Sequence, residues 1–199
     1  MLLAATKSLR IEWMNTVSVQ GSKIIGDVIG GNKYVKVLSA PNPDALKNAI
    51  VKLTGLSQDS DEYKDFVEGL DFYLNDVKSS RNVIGLEQKL INGGREDLVD
   101  EAVTKKDRFS KILARGQLSP RRQYMYYYAL QKIQSSFDGN IRPLIKEKIK
   151  FSEIDSAIYN EVVVSVYAEL VEVDISIDQY LIYGMLYFLT GKCHLRWEV

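Results

Sequence analysis

The residues best suited to chemistry are few. One cysteine and one histidine, Cys193 and His194, stand side by side. A thiolate–imidazole pair requires the two side chains to meet, and sequence neighbours generally point apart. The expectation is a small thiol beside a capping or surface histidine. A single histidine also removes most zinc sites and any triad with a remote imidazole partner. Asp61 and Asp65 lie four residues apart, so a helix would carry both carboxylates on one face, a spacing that suits Mg²⁺. Solvated acidic faces are far commoner than metal sites. The glycine-rich string Gly26-Asp27-Val28-Ile29-Gly30-Gly31 lacks the lysine and following hydroxyl residue of a phosphate cradle. The sequence therefore predicts no catalytic residue, no metal and no cofactor, and its enzyme alternative is a metal-dependent nuclease using carboxylates such as Asp61 and Asp65.

Charge is balanced in total and segregated in place. Lys plus Arg and Asp plus Glu each number 26, so no global field draws the chain to nucleic acid or to a membrane. Lys105, Lys106, Arg108, Lys111, Arg115, Arg121 and Arg122 nevertheless face only Asp107 in their stretch, while 59–76 and 153–178 are strongly acidic. Tyr124, Tyr126, Tyr127 and Tyr128 follow the basic stretch and could stack on bases. A nucleic-acid face is thus one alternative for these seven cations. The other is a set of solvated faces and ion pairs, favoured here because no reading motif is visible.

Helices must position most of these residues. Tyr63, Phe66, Val67, Leu70, Tyr73, Leu74 and Val77 repeat at three-and-four spacing, which predicts an amphipathic helix over 57–78. Ser57, Asp59 and Ser60 offer caps before it, Asp59 with Glu62 at capping-box spacing. Further helices are expected over 83–91 and over 96–115, the second closed by Gly116. Ser119 followed by Pro120 is a strong start signal for a helix that stops at Gly139. A short basic piece covers 141–150, then a helix capped by Ser152 runs to Leu170. A last helix over 178–190 is apolar on nearly all sides, as in a bundle interior or an interface. The expected fold is mainly α, a bundle of about six helices over 41–199.

Residues 1–40 read differently. Gly21, Gly26 and Gly31 recur every five residues, each followed by a turn-forming Ser, Asp or Asn, and Ile24, Ile29 and Tyr34 align in step. Each unit reads as a turn plus a very short strand. Pro41 and Pro43 mark the junction with the helical part. This glycine-punctuated β segment is expected either to fold as a hairpin turning at Gly30-Gly31 or to pair with other chains, because short strands leave donors and acceptors unpaired. Self-association or docking through Gly21, Ile24, Gly26, Ile29, Gly31 and Tyr34 is the reading adopted.

Of the residues, 46% are hydrophobic and 26% charged, an ordinary globular composition. One cysteine allows no internal disulfide, which fits a reducing, cytoplasmic setting. No export signal or membrane span is visible, since the most apolar run, 180–190, is about half the length a bilayer requires.

Two strings carry a family resemblance. The opening Gly21-Ser-Lys-Ile-Ile-Gly26-Asp-Val-Ile-Gly30-Gly31-Asn-Lys-Tyr34 resembles the leader of many bacterial conflict-system proteins. The ending Gly184-Met-Leu-Tyr-Phe-Leu-Thr-Gly191-Lys-Cys-His-Leu-Arg-Trp197 is similar to the tail of small helical components of ABC-three-component, Lamassu-like antiviral systems. Such systems combine an SMC-type ATPase, a small middle component and an effector with a C-terminal module. The resemblance implies a non-catalytic adaptor that assembles or restrains an effector or ATPase partner, with Trp197 among its contact residues. It supplies no catalytic residues.

Overall fold

The computed structural model describes residues 42–77, 84–116 and 119–198, all within the unit Pro41–Val199. The β segment and its six contact residues Gly21, Ile24, Gly26, Ile29, Gly31 and Tyr34 lie outside the described residues. Among those described, every regular element is helical.

Seven helical rods follow one another. Helix α1, Pro43–Thr54, begins where the Asn42 side chain accepts the Ala45 N–H at 3.1 Å. Helix α2, Asp61–Leu74, is capped by the Ser60 hydroxyl. The short α3 spans Leu86–Asn92 and α4 spans Val99–Gly116 after a 3₁₀ turn at Glu96–Leu98. Helix α5 starts as Pro120–Ser136, passes through a π segment at Phe137–Ile141 and ends as Arg142–Lys146. Helix α6 repeats the pattern: Phe151–Ala157, a π segment Ile158–Val164, then Ser165–Leu170. Helix α7 is Gln179–Gly191, capped by Asp178, which accepts the Leu181 N–H at 2.7 Å.

The structure corrects several expectations. Helix α1 is a rod of its own, set up by Pro43 at a position where a missing N–H costs nothing. Ser60, not Asp59, caps α2. Helix α5 does not stop at Gly139. Pro143 has no N–H to give the carbonyl four residues back, and the wider π turn, in which the Arg142 N–H reaches the Phe137 carbonyl, lets the rod continue. The basic piece over 141–150 is therefore the end of α5 and the short link that follows. Lys150 rather than Ser152 precedes α6, without a side-chain cap.

Helix α7 is the centre of the bundle. Ile182, Met185, Leu186 and Leu189 are completely buried, each contributing roughly 2 kcal/mol of transfer free energy. Gly184 is what lets α4 lie against it. A Cβ there would come within 2.5 Å of the Lys105 carbonyl oxygen, so only glycine permits this approach. Phe137 and Ile133 from α5 and Val162, Val163 and Val166 from α6 complete the core. A smaller cluster of Leu53, Phe66 and Leu70 ties α1 and α2 to Tyr124 and Tyr127 of α5.

Candidate interaction site

Three helix ends converge at one end of the bundle, and all three close in the same way. After α3, Gly94 at φ +72° lets its N–H reach Ile91 and the Arg95 N–H reach Leu90. After α5, Lys148 sits at φ +54°, with its N–H bonded to Ile145 and that of Ile149 bonded to Leu144. After α7, Cys193 sits at φ +67°, with its N–H bonded to Thr190 and that of His194 bonded to Leu189. These paired bonds are the Schellman closure, whose left-handed residue is ordinarily glycine. Lysine and cysteine occupy it at two of the three ends.

The ends are locked together by buried polar groups. The Lys89 ammonium donates to the Thr190 carbonyl, where the α7 dipole is negative. The Trp197 indole N–H donates to the Thr190 hydroxyl at 3.0 Å, which in turn donates to the Leu186 carbonyl. Trp197 also packs against Phe137, with ring centroids 5.3 Å apart. Gly93 leaves room for it, since a Cβ there would lie 2.9 Å from the Trp197 carbonyl oxygen. Arg95, only 2% exposed, forks onto Asp155 at 2.8 and 3.1 Å and reaches Asp97 at 3.4 Å. Burial opposes its charge, yet the two carboxylates win and hold the guanidinium protonated more firmly than usual. His194 is buried between the rings of Phe72 and Tyr73, at 4.9 and 5.3 Å. Its burial, aided by the Lys89 charge, holds the imidazole below its ordinary range.

Between these ends lies a cleft of about 420 Å³. Ile145, Ile149, Ile154, Phe151 and Trp197 form its apolar walls, and Lys148, Lys150 and Glu198 stand among its polar lining. Phe151 is 49% exposed and lies under the Arg95 guanidinium at 4.9 Å.

The terminal string seen in the sequence builds one wall of this site, but in an unexpected way. Trp197 was expected on a contact surface and is 2% exposed. Its ring is already surrounded by this chain, so it shapes the cleft rather than reaching out. Cys193 and His194 engage different neighbours, the thiol approaching the Ile84 carbonyl at 4.0 Å and the imidazole lying on Phe72 and Tyr73. The acidic pair Asp61 and Asp65 lies exposed on α2. Among the described residues, no group of three or more His, Cys, Asp or Glu side chains is arranged to hold a metal ion.

The basic stretch is largely consumed within the chain. Lys105 is buried, paired with Glu101 and lying 4.6 and 4.3 Å from the Tyr180 and Tyr183 ring centroids. Arg108 forks onto Asp178 at 3.0 and 2.6 Å. Arg121 donates to the Val173 carbonyl at 2.9 Å and Arg122 lies 3.8 Å from Asp174. Lys106 lies along Gly191, and Lys111 and Arg115 are exposed. The tyrosines are inside: Tyr126 is buried, Tyr124 and Tyr127 pack on Phe66, and the Tyr128 hydroxyl donates to buried Glu169 at 2.6 Å. Sequence reasoning missed the cleft and its lysines, because its parts come from three helix ends far apart in the chain. A lysine and two glycines just beyond helical runs were the only local signals.

The family model for C-terminal domain 9 of the ABC-three component (ABC-3C) systems matches residues 85–197, more than half of the chain. The chain belongs to this family. The matched span holds α3 through α7, so the entire convergence of helix ends lies inside the ABC-3C domain. Neither a curated protein nor a solved structure matches the chain. Among the described residues, no helix of this ABC-3C protein is long and apolar enough to cross a membrane.

Proposed function

We propose that this ABC-3C protein is a non-catalytic adaptor of an antiphage complex, binding a protein partner, an effector or an SMC-type ATPase, and thereby assembling or restraining it. The observation that carries this reading is the open apolar cleft within the matched domain, whose walls are fixed by buried hydrogen bonds before any partner arrives. Preformed walls lower the ordering cost of association. The test is co-expression of the chain with the genes encoded beside it, followed by affinity purification and mass measurement in solution. Co-elution with an effector or ATPase subunit in a fixed ratio is expected, and a chain that elutes alone overturns the reading. Self-association through residues 17–38 belongs to the same proposal, on the strength of the five-residue repeat. Deleting residues 1–40 should lower the mass in solution while keeping the helical melt.

A further inference from the structure

Resting on the adaptor reading, we infer that the cleft between the ends of α3, α5 and α7 is a docking site for an acidic peptide segment of a protein partner, anchored by one large apolar side chain. Three observations define that occupant. First, a cleft of about 420 Å³ falls in the range that encloses a compact ligand, roughly 300–1,000 Å³, and its floor of Ile145, Ile154 and Trp197 accepts an apolar group. Phe151 offers a half-exposed ring at the entrance.

Second, Lys148 and Lys150 on the rim are exposed and form no ion pair among the described residues. That separates them from Arg95, whose charge Asp155 and Asp97 already answer. Carboxylates flanking the apolar anchor would meet these two ammonium groups, and such rim charges favour encounter and register.

Third, Lys148 occupies a left-handed backbone position, φ +54°, that glycine would take without strain. Glycine there would relieve the strain, so the lysine stands at the rim at a cost to the fold. A nucleic acid does not fit the same set, because it brings no aliphatic anchor.

The experiment uses the full chain and two fluorescein-labelled synthetic peptides read by anisotropy: one with a leucine and a phenylalanine among aspartates, the other with lysines in place of the aspartates. The acidic peptide should bind, and added salt should weaken it. The double variant Lys148→Glu with Lys150→Glu should bind it about tenfold more weakly, and Phe151→Asp should have a similar effect. Lys148→Gly should melt at a higher temperature than the natural chain yet bind the acidic peptide less well, which separates loss of the site from loss of the fold. Equal binding of both peptides, binding of neither, or no change in the variants overturns the docking site. Should the natural chain still co-purify with a neighbouring subunit in that event, the adaptor reading survives and only the cleft is wrong.

Discussion

Between Lys105 and Arg122 the chain carries seven cations against one acid, and between Lys146 and Lys150 three against one. The first region is by far the more basic, yet a smaller share of its charge is free. Its members lie on the seam where α4 and the start of α5 meet α7 and the loop before it, and Glu101, Asp174, Asp178 and the Val173 carbonyl answer four of them. The second region lies at a helix end with an open cleft before it, and Lys148 and Lys150 meet no carboxylate among the described residues. Charge along a sequence measures supply. What a surface can offer depends on what the fold sets opposite each charge.

The sharpest way to break this contrast is at the seam. Gly184→Val places atoms where the Lys105 carbonyl already lies, and should cost about 4 kcal/mol or abolish folding, read by thermal and urea melts. Phe151→Ser, at the cleft mouth, removes a half-exposed ring and should change stability by no more than about 1 kcal/mol in the same melts. Comparable losses at the two sites would show the cleft to be as structurally committed as the seam.

Next comes Asp178→Ala, which removes both the α7 cap and the carboxylate facing Arg108. The side chains are 49% and 40% exposed, so the ion pair contributes little and the cap dominates. A loss of about 1–2 kcal/mol is expected in denaturant titration. The same variant frees Arg108, and any gain in salt-sensitive DNA binding on gel shift would show that pairing is what silences the basic stretch.

The third effect is a pH dependence. Burial depresses the His194 pKa in the fold below the ordinary value of about 6.5 expected for the unfolded chain. The unfolded state therefore binds more protons in that window. Stability is complete above about 6.5 and falls as the pH drops toward the folded value. The carboxylates whose pKa values are lowered, Glu169, Asp174 and Asp178, act in a more acid window, below about 4.5. His194→Leu should flatten melts taken between pH 6.5 and 5 while leaving the more acid limb in place. An unchanged slope would show that the imidazole is not held neutral.

The smallest effect carries the opposite sign. Lys148→Gly should stabilise the fold by about 1 kcal/mol by relieving a left-handed non-glycine residue, seen as a raised melting midpoint. No such gain is expected from Lys150→Gly, since Lys150 has negative φ, −56°.

Much of the helical pattern was legible because its signals are local. Ser119 before Pro120 announced α5, and the Ser119 hydroxyl does accept the Arg122 N–H. The apolar repeat over 63–77 named most of the buried face of α2, with Phe66, Leu70 and Tyr73 inside and Val67 left exposed. Legibility ended where a local signal was overruled. Gly139 reads as a stop, but Pro143 and a π turn carry the rod past it. Trp197 reads as a contact residue, and no local signal announces the seat that Gly93 and Thr190 make for it. The seam pairs are also invisible locally, since Arg108 and Asp178 are separated by 70 positions and Arg95 and Asp155 by 60. Periodicity shows which face a helix buries and leaves unsaid which distant end will meet it.

The π segment at Phe137–Ile141 sets the facing of everything beyond it in α5. Such a widened turn holds one residue more than the α-helical path would, which is how a single-codon insertion is tolerated without breaking a helix. Everything after it is turned by one residue's rotation, about 100°. Ile145 faces the cleft and Lys148 reaches its rim because of that offset. Deleting one residue within 137–141 would return the rod to regular winding and swing both away together, leaving the core upstream of Ser136 in its original register. One turn of α5 thus decides whether the cleft exists, and the same turn seats Phe137 and Ile141 in the core.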